Sequence, residues 1–163
     1  MIGFIGNFEH NLDSKNRLFI PAKFRESLTN TFYIKELIDP DYPCIQCIRK
    51  EDFDSFVERE MSERTDLLST RAMRFANFSF SSDVTVDSQG RIMIPQGMVN
   101  NLKLTKEAVI AGMGDHVEIW NPDTFRAYYA YVNEQYAKVE KAEEDEKQIM
   151  LERKSNGEFI PRP

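Results

Sequence analysis

The chain has little of several things, and each scarcity removes a class of function. Only two cysteines occur among 163 residues, Cys44 and Cys47, spaced as a single C-x-x-C with no second pair. A structural zinc needs four ligands, and the only histidines, His10 and His116, lie in different halves of the chain, so no metal is expected. Residues three apart in a strand point to opposite faces, and the pair reads as two ordinary part-buried thiols. No apolar run is long enough to span a bilayer, and no secretory leader pattern is visible. The chain opens Met1-Ile2-Gly3, without the glycine directly after Met that myristoylation needs, so a soluble, cytoplasmic protein is expected. Catalysis lacks its parts too. No Ser, Cys and His fall into a nucleophilic arrangement, and Gly112-Met113-Gly114 lacks the further glycine of a phosphate loop, so neither an enzyme nor a cofactor is expected.

There is no excess of positive charge either. The net charge is −6, which argues against nonspecific coating of DNA. The sign is unevenly placed, however. Glu134–Arg153 holds seven acids against four bases, whereas His10–Arg25 holds Lys15, Arg17, Lys23 and Arg25 against Asp13 alone, a local +3. A basic patch on an acidic protein is therefore available.

What is present is a repeat. Asp13-Ser-Lys-Asn-Arg-Leu-Phe-Ile-Pro21 returns 74 positions later as Asp87-Ser-Gln-Gly-Arg-Ile-Met-Ile-Pro95. Such self-similarity indicates duplication of one folding unit. Each copy reads as a hairpin followed by a short helix. Asp13 or Asp87 opens the turn and Asn16 or Gly90 closes it, these being the residue types that most easily take the left-handed conformation ending a three-residue loop. Leu18 and Ile20 then alternate with Phe19, and Pro21 suits the first turn of a helix whose Phe24 and Leu28 share a face; Met98 and Leu102 repeat this. With 41% hydrophobic residues the chain should fold, but a unit of roughly 50 to 75 residues is marginal alone, so the copies should pack on each other.

Asp and Arg four apart, astride such a loop, face each other near its base. One reading is a local ion pair, Asp13 with Arg17 and Asp87 with Arg91, that steadies the hairpin; an exposed pair contributes under about 1 kcal/mol. The other is that each Arg is presented to phosphate or guanine, which its planar fork can grip with two parallel bonds.

Along the chain, Gly3–Asn11 reads as a strand, Thr31–Leu37 as another, 39–43 as a turn and Cys44–Ile48 as the returning strand. The second copy follows with Ala108–Ala111, a shorter turn over 112–115 and Val117–Trp120, so the offset falls from 74 to 72 where Phe53 meets Phe125. Glu51–Met61 is helical in spacing. Ser62–Phe78 is expected to continue it, with Leu67, Leu68, Ala72, Phe75 and Ala76 as apolar residues and Arg71 and Arg74 as exposed bases. Ser79–Asp83 reads as a polar bridge. Asn121-Pro122-Asp123 starts a longer helix whose stripe Phe125, Tyr128, Tyr129, Val132, Tyr136 and Val139 should pack on the repeats or on a neighbouring subunit. A loose tail is expected from Asn156.

Leu12–Arg25, its echo Val86–Pro95, and Val117-Glu-Ile-Trp120 before a capped helix resemble the MraZ family, bacterial transcriptional regulators encoded at the head of the division and cell wall gene cluster. The resemblance spans residues 3 to 137. It implies an α+β fold of two tandem AbrB-like swapped-hairpin units, joined as an intrachain pseudo-dimer barrel with flanking helices. The divisions would be 3–61, a helical connector 62–80, 81–137, and an acidic extension 138–163. It also implies a ring of several chains on the nucleoid that binds short direct repeats of double-stranded DNA in the promoter of its own gene.

Carried over by position, the residues facing DNA would be Arg17 and Arg91, with Lys15 and then Lys23 and Arg25; Asp13, Asp87, Asn16 and Gly90 would shape the hairpins. The second copy has Gln89 where the first has Lys15, and Val99 where the first has Arg25, so it should contribute less electrostatically. An antitoxin-like or ring-forming protein-interaction module is the alternative. Two units and a short tail after Asn156 favour the regulator.

Overall fold

The computed structural model describes residues 3–37 and 39–157. Its elements run β1 (Asn7–Asn11), β2 (Arg17–Phe19), α1 (Ala22–Leu28), β3 (Thr31–Leu37), β4 (Cys44–Ile48), α2 (Lys50–Ser62) and α3 (Leu67–Phe78). The second half supplies β5 (Ser81–Thr85), β6 (Arg91–Met93), α4 (Gln96–Asn101), β7 (Glu107–Gly112), β8 (Val117–Trp120) and α5 (Pro122–Ser155). The chain divides into two compact units, one ending at Phe125 and the other beginning at Arg126.

In the first unit the strands interleave rather than forming two separate hairpins. One antiparallel sheet has the order β1-β7-β8-β4-β3-β5, and β2 pairs with β6 in a ribbon of two strands. The first copy's β1 thus lies against the second copy's β7, and β5 lies reciprocally against β3. Two pairings place a residue opposite its own repeat-equivalent: Leu18 faces Ile92 in β2·β6, and Gln46 faces Glu118 in β4·β8. A pseudo-twofold axis through the chain requires that arrangement, and the fold is α+β with two tandem AbrB-like halves.

The main core is shared between the halves. Leu18, Ile20, Phe24 and Ile34 from the first copy and Ile92, Ile94, Leu102 and Ile110 from the second belong to one buried cluster. Burying a side chain of this size is worth about 1.5–3 kcal/mol. The copies therefore stabilise one another through burial that neither could achieve alone.

Several expectations need correction. The first strand starts at Asn7, because Gly6 takes φ +98° and Phe4 is held separately by bonds to Gly114. Ser79–Asp83 is not simply a bridge, since β5 begins at Ser81; it is polar because it is the last strand of the sheet. The helix expected to continue from Ser62 breaks, and α3 starts afresh where the Asp66 carboxylate accepts the Ser69 N–H at 2.6 Å. Its buried residues are Met73 and Asn77, not the leucines. Cys44 and Cys47 are both fully buried, and burial pushes both thiols up. The offset does fall to 72 at β4 and β8, but first rises: Tyr33 opposite Ile48 corresponds to Val109 opposite Trp120, 76 apart. No residue of α5 is fully buried; in its stripe Phe125, Tyr128 and Val132 are partly covered, while Tyr129, Tyr136 and Val139 are exposed. At its end Asn156 and Gly157 donate to Glu152 and Lys154, and the rest of the expected tail, 158–163, lies outside the described residues.

Candidate nucleic-acid interface

The two D-x-x-x-R loops close in the same way. Asp13 Oδ1 accepts the backbone N–H of Lys15 (2.9 Å) and of Arg17 (2.8 Å), while Oδ2 accepts Arg17 Nε at 2.6 Å. Asp87 repeats the pattern with Gln89, Arg91 and Arg91 Nε, each at 2.9 Å. The backbone turns by Asn16 N–H to Asp13 O and Gly90 N–H to Asp87 O, both 3.0 Å, with Asn16 at φ 59° and Gly90 at φ 81°. The left-handed position is thus where the residue types placed it. Both aspartates are held below their ordinary carboxylate range, first by the backbone N–H of Arg17 or Arg91, against the effect of burial, and then by the Arg side chain.

The loops are also stitched to each other. Asn16 O accepts Ile94 N–H at 2.8 Å and Gly90 O accepts Ile20 N–H at 2.9 Å, so each left-handed residue hands its carbonyl to the opposite copy. Arg91 Nη1 comes within 3.9 Å of Asp13 Oδ2 across the axis. The two tips stand side by side as one surface.

The predicted basic residues differ in their freedom. Lys15 at the tip and Lys23 on α1 are exposed. The Arg17 side chain is 31% exposed, and its ion pair to Asp13 runs through Nε. The Arg91 side chain, 24% exposed, commits Nη2 as well as Nε to Asp87. Arg25 is half-buried: its Nε donates to Ile20 O at 2.9 Å and its guanidinium lies 5.3 Å from the Phe19 ring centre. Ion-pairing and outward presentation are therefore not exclusive. The Asp fixes each arginine's direction, and part of the Arg17 side chain stays exposed beside it.

Two contributors were missed. Phe19 seats Arg25, and its place opposite Leu18 and Ile20 gives the only clue in the sequence. Gln96 accepts Asn16 Nδ2 at 2.8 Å and donates to Asn100 at 2.9 Å, a chain between copies that no local spacing reveals. Among the described residues no group of His, Cys, Asp and Glu could hold a metal ion, and no helix is long and apolar enough to cross a membrane.

A family model described as "MraZ protein, putative antitoxin-like" matches residues 4–67 and 78–148. Among similar curated proteins, the transcriptional regulator MraZ of Dictyoglomus thermophilum is 37% identical over 126 residues, covering 77% of this chain and 84% of its own. That of Desulforamulus reducens is 34% identical over 127 residues (78% and 87%), and that of Mycoplasmoides gallisepticum 32% over 125 (77% and 86%). These relatives are named as regulators, not enzymes. With the repeat, the interleaved strands and the paired D-x-x-x-R loops in place, the chain belongs to the MraZ family.

Proposed function

We propose that this chain is a sequence-specific double-stranded DNA-binding regulator that acts on its own promoter. What supports this reading is the pair of bonded loop tips, with Lys15 and Arg17 on the first and Arg25 reaching beside Gly90 of the second, on a chain of net charge −6. Lysines there neutralise phosphates, and the Nη edge of Arg17 can make paired bonds to phosphate or to guanine. The tip is narrow and already ordered, so little entropy is lost when DNA docks.

One copy of this surface reaches few phosphates, and nonspecific binding of that kind gives Kd no better than about 10⁻⁴ to 10⁻⁶ M. A ring of chains over evenly spaced direct repeats would raise the affinity through effective concentration, with no new interaction at any one tip. The protein would then work in the cytoplasm, on the nucleoid.

The test is a gel shift on the DNA upstream of its own gene. Arg17→Ala is expected to abolish retardation at concentrations where the parent saturates, with Arg91→Ala weaker or comparable, and neither changing the oligomer on size exclusion. Affinity should also fall steeply with salt. Undiminished binding by the double variant, or a flat salt titration, would end this reading.

A further inference from the structure

α3 turns its apolar side chains outward. Leu67 and Leu68 are 86% and 78% exposed, and Phe75 and Phe78 61% and 50%. Leu68, Arg71, Phe75 and Phe78 follow at helical intervals on one face, and with Arg74 they line an open groove of about 520 Å³. Phe75 and Phe78 are steadied from below by edge contacts to Phe80 (5.4 Å) and Phe53 (5.9 Å). Single exposed apolar residues are ordinary, but four on one short helix mark a contact surface.

Charge selects what lies there. α3 carries two bases, Arg71 and Arg74, and no acid. A second α3 would therefore meet like charge and is disfavoured. The distal part of α5 is the opposite. Glu140–Glu152 has six acids and two bases, with Val139, Ile149, Met150 and Leu151 half or more exposed. Val139, Glu143, Glu146 and Met150 form one stripe at helical spacing, apolar at both ends and acidic between. The α3 face is apolar at both ends and basic between. At 1.5 Å per residue, Leu68 to Phe78 spans about 15 Å and Val139 to Met150 about 16.5 Å.

We propose that the acidic end of α5 from a second copy lies along α3, with Glu143 and Glu146 against Arg71 and Arg74 and the apolar ends of the two stripes in contact. This rests on the homo-oligomer reading and names the surface that would build it. The contact is head-to-tail, so it repeats from chain to chain and closes into a ring when the rotation allows. Residues 68–77 of the α3 face fall between the two segments the family model matches, whereas Val139, Glu143 and Glu146 lie within the second and Met150 beyond it.

The experiment is light scattering on the full chain. Arg71→Glu with Arg74→Glu, and separately Glu143→Arg with Glu146→Arg, should each lower the mass toward that of a monomer. Combining all four restores the charges in exchanged positions and should restore the mass. Leu68→Ser should dissociate the assembly with no change of charge, while circular dichroism stays that of the parent. If the reversed variants keep the parental mass, or the exchanged variant stays dissociated, the proposal falls and the oligomer reading stands. If the parent is itself monomeric, both fall; a reversal that then alters its hydrodynamic radius would show docking within one chain instead.

Discussion

Asp13 and Asp87 organise their loops through the same set of bonds, yet Arg17 and Arg91 end in different company. Arg91 gives two of its nitrogens to Asp87 and leans toward Asp13, whereas Arg17 is tied through Nε. The first copy's sequence also carries Lys15, Lys23 and Arg25; the equivalent positions in the second copy are Gln89, Gly97 and Val99. Duplication kept the parts that hold a hairpin closed and let the charges diverge. Geometry in this fold is a shared requirement, because each left-handed residue bonds the opposite copy. Charge is not shared, and one copy can carry most of it.

The sharpest way to break that comparison is to make the first copy electrostatically like the second. Lys15→Gln, Lys23→Gly and Arg25→Val together should weaken promoter binding by roughly a hundredfold at moderate salt. They should also lower the log–log salt slope by about 2.7, since each phosphate that is no longer neutralised takes away about 0.9. Filter binding across a salt series measures both. Gln89→Lys alone should steepen the slope by less than about 0.9, the value for one neutralised phosphate. Equal weakening on neutralising either copy would show that the asymmetry has no role.

A second comparison concerns the left-handed residue itself. A Cβ at Gly90 would sit 2.9 Å from Arg25 Cζ and 3.0 Å from the Phe19 ring, at a φ that already disfavours it. Gly90→Ala should cost about 1–2 kcal/mol for the backbone alone. Adding Arg25→Val should recover part of that stability, because the two positions touch. Asn16→Gly relieves the same backbone cost and removes the bond to Gln96, so it should stay within about 1 kcal/mol. Urea unfolding ranks the three variants against the parent, and Gly90→Ala matching the parent would contradict the packing.

Much of this was legible because the local chemistry is explicit. Asp opens, Asn or Gly closes, and alternation around Leu18 and Ile92 points the right residues inward. What local patterns do not contain is partnership. Nothing near Asn7–Asn11 says that β1 pairs with β7, and the interleaving came from resemblance alone. β5 was missed because an end strand can be as polar as a loop, and Ser81-Ser82-Asp83 is. The helix break was readable, since Asp66 three residues before Ser69 is a helix start. The outward leucines of α3 were not, because apolar spacing marks a face without saying whether it meets the chain's own core or another copy.

The smallest expected effect separates loop integrity from DNA contact. Asp13 and Asp87 are depressed below their ordinary value, so the stability they contribute is present above the unfolded value near about 4 and is lost as pH falls through the folded one. His116 runs the other way. Burial alone would lower it, but its hydrogen bonds to Glu118 and Asp115 prevail and raise it, so its contribution is full below about 6.5 and fades as pH climbs through the folded value. The acid limb of a stability profile therefore reports the two hairpins together with Asp115, whose carboxyl is also held down, first by its hydrogen bond to His116. On that limb Arg17→Ala should change little, because the largest influence on Asp13 is the backbone N–H of residue 17, which alanine keeps. Carboxyl titration by NMR should find Asp13 still depressed in that variant. A full return to the ordinary value would mean that the guanidinium, not the turn, sets the carboxylate, and that weakened DNA binding in Arg17→Ala reflects a loosened loop rather than a missing grip on the duplex.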